Sequence, residues 1–181
     1  ITEIPYTMIG ANIGKFLSDV AALAETKKTN SAAAADGAKL TYFVTTADLG
    51  REDVRIDAAQ GEGTLLTQAR AYSANVLAGI NAGAVAAGSY ADSAAFAAAL
   101  TGTALVESGR SLAAEGNART AATAAGVTKT GKAVFVTVDS ATQAELAQIL
   151  LDAGCVTALY MDGGGSATFV SMEEGESGAT Y

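Results

Sequence analysis

The sequence predicts an α+β domain in which a mixed β-sheet is flanked by helices. The clearest evidence lies in the second half of the chain, where a strand pattern, a helix pattern and another strand pattern follow one another. Residues 132–138 (KAVFVTV) and 155–161 (CVTALYM) are rich in β-branched and aromatic residues, which is typical of strands. Between them, residues 144–154 carry apolar side chains at helical spacing. This order of elements is expected in an α+β or α/β domain.

Composition excludes several classes of protein and of site. The chain has 181 residues, of which 50% are hydrophobic, and a mean hydropathy of +0.27, so we expect one folded domain. No apolar run approaches the roughly 18 residues that span a bilayer. The absence of histidine excludes Ser-His-Asp catalysis and imidazole metal ligands, and the lone Cys155 excludes a disulfide framework. A net charge of -8 argues against nucleic acid as a partner, and we expect neither a cofactor nor a metal site.

An extra helical segment is predicted at the N-terminus. Apolar residues within 11–27 recur at the spacing of one helical face. Residues 29–38 (TNSAAAADGA) are small or polar and indicate a linker. We therefore divide the chain into an N-terminal extension, residues 1–38, and a main domain, residues 39–181.

Further segments of the first half carry helix or strand patterns. The predicted elements are a strand over 40–46, a second strand around Val54 and Ile56, a helix over 64–77 with Thr64 as its N-cap, a strand over 78–81 and a short helix over 92–100.

Cap signals are predicted on either side of the helix in the second half. Ser140 with Gln143 resembles a capping box, in which each side chain binds an otherwise unpaired backbone amide. Gly154 suits the position after the last helical residue, where a left-handed backbone conformation is common. Extended structure is expected to resume over residues 168–171.

The turn Asp162-Gly163-Gly164-Gly165-Ser166 is the most informative candidate for chemistry. Consecutive glycines permit positive φ angles and let backbone amides approach a ligand closely. An aspartate at the mouth of such a turn can hold a hydroxyl or act as an acid or base, and the serine adds a hydroxyl. A glycine turn between two strands is also an ordinary structural connection, and the residues alone leave both interpretations open.

Other polar residues lie at predicted strand ends or in loops. Asn81 follows an apolar strand, where α/β folds place ligand contacts, and the alternative is that it simply caps a turn. Arg119, followed by Thr120, offers a bidentate grip on a phosphate or carboxylate, or pairs with a surface acid. Asp139 and Glu107 each end a predicted strand and are the remaining acids considered.

Taken together, these segments resemble the phosphodiester glycosidase family. The matching segments, in chain order, are 80–83 (INAG), 116–121 (GNARTA), 126–132 (GVTKTGK), 144–154 (AELAQILLDAG) and 156–168 (VTALYMDGGGSAT). The resemblance extends over residues 40–171, and the Asp-Gly-Gly-Gly-Ser element is its most specific part.

The resemblance implies a phosphodiester-glycosidase-like fold and hydrolysis of a sugar-1-phosphodiester. It implies that Arg119 grips the phosphodiester anion and that Asp162 is the acid or base, with either Asp139 or Glu107 as its partner carboxylate. The residues implied to orient sugar hydroxyls or phosphate are Asn81, Thr120, Gly163, Gly164, Gly165 and Ser166. The expected partner is thus a sugar phosphodiester or glycan, and the expected location is extracellular or secreted.

A structural subunit is the alternative hypothesis. The chain is rich in alanine, and the paired phenylalanines of the family are here Ala84 and Val85. In this alternative the same fold serves a filament, surface layer or virion appendage. Residues 1–38 would then dock onto a neighbouring copy by strand addition or helix packing, producing a homo-oligomer.

Overall fold

The computed structural model describes residues 28–33, 37, 39–56, 62–72, 76–82, 102–114, 116, 118–171 and 179–180. The helices predicted over 11–27 and 92–100 lie outside these residues and stay predictions, as does docking by the N-terminal extension. Within the described part of the chain, no helix is long and apolar enough to cross a membrane.

The described elements are two helices and ten strands. The helices are α1 (Leu65–Tyr72) and α2 (Gln143–Asp152). The strands are β1 (Lys28–Ala33), β2 (Lys39–Asp48), β3 (Ala78–Ile80), β4 (Thr103–Glu107), β5 (Arg110–Ser111), β6 (Thr120–Thr128), β7 (Lys132–Ala141), β8 (Cys155–Gly163), β9 (Phe169–Ser171) and β10 (Ala179–Thr180).

The strands form two antiparallel sheets. The larger sheet has the order β1-β2-β7-β6-β8-β4-β5, and the smaller sheet has the order β10-β9-β3. Helix α2 packs on one face of the larger sheet, against β4, β7 and β8, while α1 packs on the smaller sheet. The α+β class predicted from the sequence is therefore confirmed.

The core lies between α2 and the larger sheet. Alternate residues of β6 and β7 point toward the helix, because successive side chains of a strand face opposite sides of a sheet. The buried side chains of this cluster are Leu40, Leu105, Val106, Ala122, Ala124, Val134, Val136, Val138, Ala141, Leu146, Ala147, Ile149, Leu150, Cys155 and Ala158. Burial raises the pKa of the Cys155 thiol to about 11, so this core cysteine stays a protonated thiol near neutral pH.

The opposite face of the larger sheet carries a second set of buried residues. Phe43 of β2 stacks on Phe169 of β9, with ring centroids 5.3 Å apart and planes inclined by 7°. Three threonines on this side are also buried, namely Thr45, Thr123 and Thr137. The smaller sheet therefore meets the larger one on the face away from α2.

Residues 29–33 are a strand, so the linker predicted over 29–38 is wrong in that part. Strand β1 pairs with β2 from Lys28, opposite Val44, to Ala33, opposite Lys39. It lies at the edge of the sheet, where backbone hydrogen bonds to one neighbour hold a segment without an apolar side-chain pattern. The larger sheet consequently begins on the N-terminal side of residue 39.

The second strand predicted around Val54 and Ile56 is wrong as well. The Arg51 amide donates to Asp48 O at 3.2 Å and the Val54 amide to Arg51 O at 3.4 Å, so the chain turns here. The Arg51 guanidinium also binds Asp53 Oδ1 and Oδ2, at 2.9 and 2.7 Å. These local bonds within a turn prevail over the alternating pattern.

Helix boundaries agree with the sequence in part. Thr64 caps α1 as predicted, since its Oγ1 accepts the Thr67 amide at 3.2 Å, but the helix ends at Tyr72 rather than at residue 77. Gly154 follows α2 with a φ of +85°, which confirms its predicted role.

The capping box of α2 is formed by Thr142 and Glu145, not by Ser140 and Gln143. Thr142 Oγ1 accepts the Glu145 amide at 3.2 Å, and Glu145 Oε2 accepts the Thr142 amide at 2.9 Å. Ser140 is still within β7, because the pairing of that strand with β6 continues to Ala141. The box is therefore displaced by two residues along the chain.

Candidate functional site

Asn81 and Asp162 meet although they lie 81 residues apart in the chain. Asn81 directly follows β3 of the smaller sheet, and Asp162 is the penultimate residue of β8 in the larger sheet. Asn81 Nδ2 donates to Asp162 Oδ2 at 2.6 Å. Both side chains are partly buried, so the contact lies at the junction of the two sheets.

A β-bulge turns Asp162 toward this junction. On β6, the consecutive residues Thr123 and Ala124 lie opposite Asp162 and Tyr160 of β8, so Met161 is an extra residue in β8. Because paired residues share a face, Tyr160 lies on the α2 side with Ala124, and Asp162 lies on the other side with Thr123. In a regular strand, residues 160 and 162 would share one face, so the bulge re-aims the carboxylate.

The Asp162 carboxylate accepts three hydrogen bonds. Besides the bond from Asn81, Oδ2 accepts from Ser166 Oγ at 2.9 Å, and Oδ1 accepts from the Gly163 amide at 2.8 Å. All three partners are hydrogen-bond donors, which a carboxylate accepts through its two oxygens. The strand and the turn that follows it are thus folded around this group.

Asn81 is itself held at both its side chain and its backbone. Its Oδ1 accepts from the Thr168 amide at 2.8 Å, which fixes which end of the amide faces Asp162. Its backbone amide donates to Thr168 O at 3.3 Å, and its carbonyl accepts from Thr123 Oγ1 at 3.0 Å. Asn81 therefore presents its Nδ2 group to Asp162 in one orientation.

The glycine turn uses two of its three glycine amides internally. The Gly163 amide binds Asp162, and the Gly164 amide donates to Ala121 O at 2.8 Å. Gly164 has a φ of +85°, which a residue with a side chain rarely adopts. Within the described residues, the Gly165 amide has no hydrogen-bond partner, and Gly165 is exposed.

Arg119 and Thr120 lead into the strand beside the turn. Thr120 begins β6, and Ala121 supplies the carbonyl that holds Gly164. Arg119 Nη2 donates to Glu145 Oε1, while Glu145 Oε2 accepts the Thr142 amide in the α2 capping box. The structure thus places Arg119 next to the strand end that anchors the turn, with its guanidinium bound to Glu145 rather than to Asp162.

Tyr160 borders the site and was not identified from the sequence. A Cβ atom added to Gly163 would overlap the Tyr160 hydroxyl and would lie 2.9 Å from its Cζ, so the phenol covers Gly163. Burial raises the pKa of Tyr160, and the negative charge of Asp162 raises it further. The phenol therefore stays protonated near neutral pH. A tyrosine within a strand pattern gives no local signal of this role.

Glu107 lies at the wrong end of β8 to partner Asp162. It ends β4 at the hairpin with β5, where the Gly109 amide donates to Val156 O at 2.9 Å. Val156 precedes Asp162 by six residues, a separation of about 20 Å along a strand. Paired carboxylates in glycosidases lie about 5 to 10 Å apart, so Glu107 does not fit.

Asp139 lies at the same end of the sheet as Asp162. Its neighbour Val138 pairs with Ala122 of β6, and Ala122 pairs with Gly163 of β8. Two strand spacings separate β7 from β8, which corresponds to about 10 Å. Asp139 is exposed. Of the two acids considered from the sequence, it is the one placed near the site.

Within the described residues, no group of three acidic or cysteine side chains could hold a metal ion. The expectation that the protein needs no metal or cofactor stays a prediction.

The family model of phosphodiester glycosidases matches residues 12–180 of this chain. The chain belongs to the phosphodiester glycosidase family. The matched range is wider than the segment 40–171, over which the sequence resemblance was predicted. No curated protein sequence matches the chain.

Two solved structures are each similar to part of this chain. The auto-inhibited catalytic domain of zebrafish N-acetylglucosamine-1-phosphodiester alpha-N-acetylglucosaminidase is similar, with a TM-score of 0.51 and 14% sequence identity. The match covers 79% of this chain and 71% of the zebrafish chain, and at this identity it shows the fold alone. A hypothetical protein from Synechocystis is 26% identical over 39% of this chain, with a TM-score of 0.33. The matched part is 16% of the Synechocystis chain.

Proposed function

We propose that the protein hydrolyses a sugar-1-phosphodiester, releasing the free sugar and leaving a phosphomonoester. The observation that carries the proposal is the hydrogen bond between Asn81 and Asp162. This bond joins the segment of Asn81, at the end of a strand of the smaller sheet, to the segment of Asp162 in the larger sheet. Both segments are among those that resemble the family. Membership of the phosphodiester glycosidase family supports the reaction type.

The groups around Asp162 suit the hydroxyls of a sugar. Asp162 Oδ1 accepts one hydrogen bond and has a second lone pair, while Ser166 Oγ donates and can still accept. Asn81 Nδ2 has a second hydrogen beyond the one directed at Asp162. A sugar hydroxyl both donates and accepts, so it complements this set. We therefore assign the sugar to the Asp162 end of the site.

Arg119 is proposed to bind the phosphodiester. Arg119 precedes Ala121, whose carbonyl anchors the turn, by two residues, and the Glu145 carboxylate binds its guanidinium. A guanidinium carries five N–H donors in a planar fork, which matches the oxygens of a phosphate. The positive charge would also stabilise the phosphomonoester as it leaves. Thr120, at the start of β6, is proposed to line the same end.

Asp162 and Asp139 are proposed to share the proton transfers. In the net reaction, the bond between the anomeric carbon and the phosphate oxygen breaks. The oxygen of a water molecule then takes the place of the phosphate on that carbon. One carboxylate takes the proton from water, and the proton returned to the reaction ends on the phosphomonoester or in solvent. Asp162, with three donors around it, is proposed as the acceptor.

The direct test is turnover of sugar-1-phosphodiesters by the purified protein. Product analysis should show free sugar and phosphomonoester in equal amounts, whereas a phosphodiesterase that cuts the other ester bond would produce sugar-1-phosphate. Arg119→Ala should raise KM for the anionic substrate. Arg110→Ala, at an exposed arginine of β5, is the matched control and should leave KM unchanged. Absence of turnover across a panel of sugar-1-phosphodiesters would contradict the proposal.

The choice between the two partner acids is a separate prediction. Asp139→Asn should lower kcat by about 100-fold, the contribution typical of a general acid or base, while Glu107→Gln should retain wild-type kcat. The physical reason is that, of these two acids, Asp139 lies at the Asp162 end of the sheet and Glu107 lies at the other end. Steady-state kinetics of both variants would check it, and a loss confined to Glu107→Gln would contradict the assignment.

An extracellular or secreted location also stays a prediction.

A further inference from the structure

Thr123 connects the larger sheet to the backbone of Asn81. It lies in β6 directly opposite Asp162 and is fully buried. Its Oγ1 donates to Asn81 O at 3.0 Å. One buried side chain is thus the cross-strand neighbour of Asp162 and a hydrogen-bond donor to the partner of Asp162.

This bond fixes Asn81 from a different side than its other contacts do. Apart from the bond to Asp162, Asn81 accepts the Thr168 amide at its Oδ1 and donates its own backbone amide to Thr168 O, and Thr168 lies next to β9 in the smaller sheet. Contacts with Thr168 alone would let Asn81 move together with the smaller sheet. The bond from Thr123 ties the Asn81 backbone to the same strand pair that holds Asp162.

Thr137 provides a natural comparison in the neighbouring strand. It pairs directly with Thr123 across β6 and β7, and it is also buried. Within the described residues, however, its Oγ1 has no hydrogen-bond partner. The two positions therefore share residue type, sheet face and burial, and they differ in the bond to Asn81.

We infer that Thr123 is a positioning residue of the Asp162 site, which acts by holding the Asn81 backbone so that Asn81 Nδ2 stays in contact with the Asp162 carboxylate. This inference rests on the proposed function for its catalytic consequence, but not for its structural one. Thr123 is buried and acts through Asn81, so the role does not require contact with substrate.

The test uses the full chain and four variants: Thr123→Val, Thr123→Ser, Thr123→Ala and Thr137→Val. The first readout is hydrogen exchange of the Asn81 side-chain amide, which is measured by ¹⁵N NMR. The signal of this amide is assigned by its loss in Asn81→Asp. Loss of one hydrogen bond should raise the exchange rate of the Asn81 amide hydrogens in Thr123→Val by about threefold to tenfold. Thr123→Ser retains a hydroxyl and should restore slow exchange, and Thr137→Val should match the wild type.

The second readout is the hydrolysis of a sugar-1-phosphodiester. Thr123→Val should lower kcat by a similar factor of about three to ten, with little change in KM, because Asn81 is misplaced relative to Asp162 rather than lost. Thr123→Ser should recover most of the kcat. If the wild type has no turnover, the proposed function fails, and the amide readout still decides the role of Thr123.

Three results would overturn the inference. Unchanged Asn81 amide exchange in Thr123→Val would show that the bond does not position the side chain. Equal effects of Thr123→Val and Thr137→Val would assign the change to the sheet as a whole. If Thr123→Val does not fold, the Ser and Ala variants make the same comparison, and equal amide exchange in those two would also refute the role.

Discussion

Replacing Asp162 with asparagine is expected to reduce kcat for a sugar-1-phosphodiester by at least about 100-fold. Asparagine has the same shape but replaces one acceptor oxygen with a donor. If its amide nitrogen takes the Oδ2 position, it faces Asn81 Nδ2 at 2.6 Å, and if it takes the Oδ1 position, it faces the Gly163 amide at 2.8 Å. Each orientation leaves donors opposed, so the network fails together with the acid–base group.

The opposed donors should also lower stability. An unsatisfied donor in a partly buried network costs about 1 to 3 kcal/mol, so denaturant unfolding of Asp162→Asn should show a loss of this size. Steady-state kinetics separates the loss of stability from the loss of the acid–base group. If kcat is measured where the variant is fully folded, a lower kcat reflects the chemical step.

Asp48→Asn is the matched control. Asp48 also accepts a nearby backbone amide, that of Gly50, at 3.0 Å, but it lies at the other end of the sheet, opposite Lys132. Its replacement should leave kcat unchanged. Equal turnover by wild type and Asp162→Asn would remove Asp162 from the mechanism.

Replacing Gly163 with alanine is expected to destabilise the protein by about 1 to 3 kcal/mol and to disrupt the site. The added Cβ would overlap the Tyr160 hydroxyl, and it would approach Tyr160 Cζ to 2.9 Å and Ala121 O to 3.2 Å. Relief requires movement of the phenol, which packs against the buried core, or of β8. Movement of β8 also displaces the amide that binds Asp162.

Thermal and denaturant unfolding would measure this cost, and a double-mutant cycle would locate its origin. In a Tyr160→Leu background, the ring is absent, so Gly163→Ala should cost less than it does in the wild type. Gly79→Ala is the matched control, because the three atoms nearest to an added Cβ there belong to Leu65 and lie 3.7 Å or more away, an ordinary contact. Equal costs of Gly163→Ala in both backgrounds would exclude the clash with Tyr160.

The elements that could be predicted from the sequence are those with strong local patterns. The strands predicted over 40–46, 132–138 and 155–161 and the helix over 144–154 correspond to β2, β7, β8 and α2. Their patterns depend on residues close together in the chain, where side-chain shape and period determine the element. Strand β1 and the true capping box were missed because pairing with β2 and the length of β7 decide them.

The candidate site could be predicted only as separate residues. Asn81 and Asp162 were both identified, and the structure joins them by a hydrogen bond. Thr123 and Tyr160 were missed, because a threonine or tyrosine in a strand has no local mark of what it faces. Arg119 was identified from its residue type, but its bond to Glu145 depends on where α2 begins.

Residue order and local backbone preference are enough to predict the α+β class, the family and the glycine turn at the end of β8. The contact between Asp162 and Asn81 depends instead on how the strands pair. The extra residue Met161 moves Asp162 to the sheet face opposite that of Tyr160. The period of a strand is a local property, but the face a residue occupies depends on register with its neighbour, and a shift of one residue reverses it.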